Sequence, residues 1–168
     1  LIPHVFLYST LAALVAAVLW VLLAGARLLP PISLRFDADV ALWGIAGGVA
    51  TLALVLAYFE FFYPPGAIHW IDPKPWSLAG NVFSNFYEEF LFRGFLLVAL
   101  TAVFGFWPAA VITAAAFGAT HAQYPLDLRI MISVAGFAWA IVARQAGSIW
   151  APYITHMILD VVGDSLIG

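Results

Sequence analysis

The chain has no cysteine. That excludes disulfides, thiolate nucleophiles, iron–sulfur clusters and Cys-ligated zinc. Charge is nearly as scarce: 9% of the 168 residues are charged, where a soluble domain carries about a quarter. The net charge is -3 and no Lys/Arg cluster occurs, which speaks against nucleic acid as a partner and against a polybasic lipid-binding patch. Several catalytic signatures are missing as well. There is no His-Glu-x-x-His and no Gly-x-Ser-x-Gly elbow, and Gly163-Asp164-Ser165 lacks the earlier Gly of a Gly-x-Gly-Asp aspartyl site.

What the chain does have is hydrocarbon. Hydrophobic residues make up 65% of it, in runs long enough to cross a bilayer. The expectation is an all-α, polytopic membrane helix bundle, one integral membrane domain over residues 1–168. About six transmembrane helices are predicted, over 3–26, 40–63, 76–103, 109–123, 128–146 and 148–167. The first hydrophobic stretch, 5–26, is too long for a signal-peptide core and lacks a basic flank, so it reads as a true span. The chain begins at Leu1 rather than Met and reads as trimmed. Pro64-Pro65-Gly66 and Tyr124-Pro125 supply the stops. Short loops predict that sequential helices are antiparallel neighbours. Gly44, Gly47 and Gly48 form one small-residue face, and Ala114, Ala115, Ala116, Gly118 and Ala119 another; such faces let backbones approach closely in lipid. Trp70, Trp76, Trp107 and Trp150 sit in or beside loops, where an interfacial belt places them.

Inside the third predicted helix the apolar run is broken by Glu88-Glu89-Phe90-Leu91-Phe92-Arg93. Each charge near the centre of a membrane helix costs ~2.5–3.5 kcal/mol, so three unpaired would cost roughly 8–10 kcal/mol. At 100° per residue Glu89 and Arg93 share a face, in the favourable acid-before-base order. Asn85 continues that stripe. Glu88 lies on another, with Ser84 one turn before it and no cation beside it. Glu88 is thus the candidate base, and Glu89 with Arg93 the candidate structural pair.

Two more polar groups occur in apolar surroundings. The fourth predicted helix ends in Phe117-Gly118-Ala119-Thr120-His121, and the sixth carries His156-Met157-Ile158-Leu159-Asp160. From the Phe106–Trp107 turn, Glu88 is about 18 residues back and His121 about 14 forward. At 1.5 Å per residue their depths differ by only ~6 Å. Counting from Gly147 puts His156 and Asp160 in the same layer. A Glu and a His flanking a water can take its proton and aim it at a carbonyl, and a second polar pair opposite can stabilise the developing oxyanion. That set performs amide hydrolysis without a covalent intermediate. The same four residues are also a plausible nitrogen and oxygen ligand set for zinc. A non-enzymatic scaffold or immunity protein with a hydrogen-bonded polar core is a second alternative. A third, a small transporter with a midplane ionisable site, calls for inverted-repeat symmetry, and the sequence shows none.

Glu-Glu-x-x-x-Arg, Phe-x-x-x-His and His-x-x-x-Asn/Asp, in order on three membrane helices, resemble the signature of the CPBP family. These are the type II CAAX prenyl endopeptidases and bacteriocin-processing (Abi) proteins, glutamic intramembrane endopeptidases. The resemblance covers roughly 81–164, within a catalytic core of 77–168. It implies that Glu88 activates water with His121 as partner, that Arg93 holds Glu89, and that His156 with Asp160 binds the oxyanion or positions the carbonyl. Ser84, Asn85 and Phe117 are candidates for substrate contact or support. Where the family's Ras-converting members carry Asn, this chain has Asp160, and an ionised carboxylate cannot donate to an oxyanion. Either Asp160 is protonated or it orients His156; the one-turn spacing favours the second. No cofactor is implied. The expected partners are the lipid bilayer and a membrane-anchored peptide or protein substrate. The expected location is a prokaryotic cell membrane, crossed several times.

Overall fold

The computed structural model describes residues 2–27, 33–72, 75–163, 165 and 166, and the side chains of 2–10, 12, 13 and 75–77 are outside that description. The anchoring role expected of the Trp76 side chain therefore lies outside the described residues. Among the described residues the regular structure is all helical: α1 (Ile2–Gly25), α2 (Ala38–Phe62), α3 (Pro75–Glu89), a π-helical segment (Phe90–Leu96), α4 (Leu97–Phe104), α5 (Phe106–Thr120), α6 (Leu126–Ala146) and α7 (Trp150–Gly163). The helical backbone runs unbroken from α3 through the π segment into α4, so these three stand where one helix was predicted. α2 and α6 are each long and apolar enough to cross a membrane. α5 and α7 have 15 and 14 residues, or about 21–22 Å at 1.5 Å per residue. Large apolar side chains cover the outside, among them Leu22 (62% exposed), Phe61 (80%) and Phe83 (73%). An apolar surface that extensive is a lipid- or partner-facing one.

Local chemistry explains the ends. The Asp37 carboxylate accepts from the Val40 N–H at 3.0 Å and caps α2. α6 stops at Gly147, whose φ of 61° is left-handed and suits a residue without a Cβ. In the π segment the Leu97 N–H reaches back five residues to the Phe92 carbonyl, a widening that periodicity in the sequence does not announce.

α4, α5, α6 and α7 pack in sequence as expected, but the order of neighbours departs from the sequential arrangement at α2 and α3. α7 packs most heavily on α2, and also against α3 and α6. The α2 glycines are the reason. A Cβ at Gly44 would lie 2.7 Å from Ile154 Cβ, and one at Gly48 2.7 Å from Ile158 Cδ1. The bare backbone of α2 is thus the bed in which α7 lies. Thr155, fully buried, donates its hydroxyl to the Gly44 carbonyl at 2.9 Å and fixes the register. On the second small face Ala114 and Gly118 are buried against α6, while Ala115 and Ala119 are exposed. At the other end of α2, Tyr58 and Tyr63 donate to one oxygen of Asp127 at 2.9 and 3.1 Å, tying α2 to α6. Desolvation, then the Asp127 carboxylate, raise the Tyr63 phenol above its ordinary pKa, so it stays a donor at neutral pH.

Candidate active site

The two adjacent carboxylates of the chain end in different surroundings. Glu89 is 0% exposed and Arg93 3%. Arg93 Nη1 donates to Glu89 Oε1 at 2.9 Å, and its Nη2 donates to the Gly136 carbonyl at 3.1 Å. The guanidinium lies 4.4 Å from the Phe117 ring centre and 5.1 Å from that of Trp139. Hydrogen bonds and π faces together replace the water that a buried cation gives up.

His156, 5% exposed, joins this pair to the second carboxylate. Its Nδ1 lies 3.0 Å from Glu89 Oε1, the oxygen that Arg93 also holds. Its Nε2 faces Asp160 Oδ2 at 3.5 Å and Glu88 Oε2 at 4.0 Å. The sequence-based division, with Glu89 serving Arg93 alone and Glu88 on a separate stripe, is therefore incomplete. One imidazole from α7 spans both carboxylates. Trp139 sits beside the ring, 4.2 Å between centres, and donates its Nε1–H to Thr51 at 3.2 Å.

His121 does not continue α5, as predicted, but follows its last residue as the C-cap, with φ -88° and ψ 43°. Its Nδ1 is 2.8 Å from the Phe117 carbonyl. A carbonyl only accepts, so Nδ1 carries the proton and the neutral ring keeps its lone pair at Nε2. That tautomer can accept a proton or a hydrogen bond.

Glu88, His121, His156 and Asp160 line one cavity of about 560 Å³, together with Ser84, Asn85 and Phe117. The Glu88 and Asp160 side chains are 22% and 27% exposed; Glu89 stays sealed behind them. Among the described residues no three His, Asp or Glu side chains are grouped so as to hold a metal ion. The arrangement can deprotonate a water at a half-open carboxylate while a fixed imidazole stands opposite.

Two contributors were not foreseen. Trp139 differs from the belt tryptophans in lying mid-helix, where a lone indole N–H needs a partner; that was its signal. The Gly136 carbonyl that holds Arg93 had none, because every residue offers a carbonyl.

A family model described as type II CAAX prenyl endopeptidase Rce1-like matches residues 70–162. No curated protein and no solved structure matches the chain.

Proposed function

We propose that this chain, which belongs to the type II CAAX prenyl endopeptidase Rce1-like family, hydrolyses a peptide bond of a membrane-anchored peptide or protein at the cavity carrying Glu88. Members of this family are integral membrane proteins with endopeptidase activity. The mechanism proposed is of the glutamic type. Glu88 takes a proton from water while His121, through Nε2, orients it. The water oxygen bonds to the scissile carbonyl carbon, and the carbonyl electron pair moves onto its oxygen. His156, held at Nδ1 by Glu89 and flanked at Nε2 by Asp160, positions that carbonyl. When the tetrahedral adduct collapses, the C–N bond breaks and Glu88 returns its proton to the leaving amine. No bond to the enzyme forms.

The observation that carries this reading is the approach of Glu88 Oε2 to His156 Nε2, 4.0 Å, on a cavity wall that also holds His121. In the proposal all six helical rods cross the bilayer, residues 77–168 form the catalytic core, and the small body with short loops, like that of a prokaryotic member, favours a peptide or sorting-signal substrate over a prenylated one. The test compares membrane-anchored proteins in cells carrying the wild type or Glu88→Gln. One of them should accumulate uncut only in the variant. Identical processing in both cells would overturn the reading. Activity that vanishes with a chelator and returns with metal would replace water activation by Glu88 with a metal site.

A further inference from the structure

Hydrolysis at this cavity puts negative charge on the carbonyl oxygen, and that oxygen needs donors. The four groups assigned above supply few. Glu88 by then holds the proton destined for the leaving amine, and a carboxylate such as Asp160 only accepts. Neutral His121 spends its N–H on the Phe117 carbonyl. His156 has Nδ1 on Glu89 and Nε2 between two further carboxylates.

We propose that the side-chain amide of Asn85 is an oxyanion donor for this reaction, a catalytic residue that contacts the scissile carbonyl oxygen. The inference rests on the hydrolytic reading above. Asn85 lines the same cavity and is otherwise packed in, with 1% of its surface accessible. It precedes Glu88 by three residues on α3, and side chains at that spacing are neighbours about 5–6 Å apart at Cβ. A carbonyl attacked by water from Glu88 is thus within reach.

The amide is also oriented. Ser84 Oγ lies 3.2 Å from Asn85 Oδ1, with the Asn81 carbonyl at 3.5 Å as its other acceptor, and the NH₂ group is turned the other way. There Nδ2 donates to Met157 Sδ at 3.5 Å. A thioether is a weak acceptor, and the amide has two N–H groups to offer. A buried, oriented donor that ends on sulfur has most of its hydrogen-bonding capacity unspent, one residue along α7 from His156. An oxyanion in the cavity would use it.

The test is steady-state kinetics of the purified full chain on the peptide identified with Glu88→Gln. Two variants remove the donor: Asn85→Ala, and Asn85→Asp, which keeps the shape. Both should lower kcat about 100- to 1,000-fold, the usual cost of one oxyanion donor, with KM within threefold. A peptidyl trifluoromethyl ketone, which binds as its tetrahedral hydrate, should lose affinity in parallel, while a cleavage-product peptide should not. Met157→Leu, which removes only the sulfur acceptor, should keep kcat within threefold.

Unchanged kcat in Asn85→Asp, or loss confined to KM, would overturn the donor role. So would a Met157→Leu defect as large as that of Asn85→Ala, because Asn85 would then act through packing on α7. If Asn85→Ala fails to fold, Asn85→Asp and the ketone decide. If Glu88→Gln is inactive while Asn85→Asp retains full kcat, the donor role fails alone. If Glu88→Gln retains full activity, the hydrolytic reading itself fails.

Discussion

Glu88 and Glu89 are adjacent in the chain and opposite in circumstance. Around the Glu89–Arg93 pair the protein is closed: the Gly136 carbonyl, Phe117 and Trp139 lie against the guanidinium, and the inner nitrogen of His156 lies against Glu89. Glu88 looks into the open cavity, a fifth of its side chain exposed. Position relative to the packed interior, not residue type, separates a carboxylate that holds helices together from one that can exchange a proton. His156 works on both sides, anchored at one nitrogen in the closed block and facing the cavity with the other.

The contrast breaks first at Glu88. Glu88→Gln keeps the side-chain shape and should cut the rate of peptide cleavage by about 10²–10⁴-fold, the range for loss of a general base. Its thermal midpoint in detergent should stay close to that of the wild type. On the closed side the effect should fall on folding. Arg93→Met takes the guanidinium from the buried Glu89, leaving it the His156 imidazole, and should destabilise the protein by about 3–5 kcal/mol in denaturant unfolding. Combining it with Glu89→Gln should recover part of that loss. A pair of equal, small effects at Glu88 and Arg93 would erase the distinction.

Further out, Gly48→Leu drives a side chain into Ile158 and should cost about 1–3 kcal/mol by overpacking. It should also lower activity, because α7 carries His156 and Asp160. The smallest change is Trp139→Phe. It keeps a ring beside His156 but gives up the bond to Thr51, for about 1 kcal/mol.

Much of the candidate site's arrangement was legible in the sequence. The i, i+4 spacing of Glu89 and Arg93 is a property of one helix, and helical geometry alone pairs them. The counts from the loops put His121 and His156 at the depth of Glu88, and one cavity now holds all three. The small-residue spacing of Gly44 and Gly48 identified a packing face, though not what lies on it. Other features had no local signal. One is the π segment at Phe90–Leu96, which carries Arg93. α5 ends at Thr120 rather than at residue 123, because His121 closes on the Phe117 carbonyl and the last turn goes no further.

By itself the sequence determined an all-helical body, which polar residues it places among apolar ones, and the pairing of Glu89 with Arg93. All of these follow from periodicity and the cost of bare charge in hydrocarbon. Only the tertiary structure decided that α7 lies on α2, reaches α3, and so brings one imidazole to both carboxylates. A sequence sets the angle of a side chain around its own helix, but the partner it meets depends on which backbones can approach, and here that is settled by glycines about a hundred residues away.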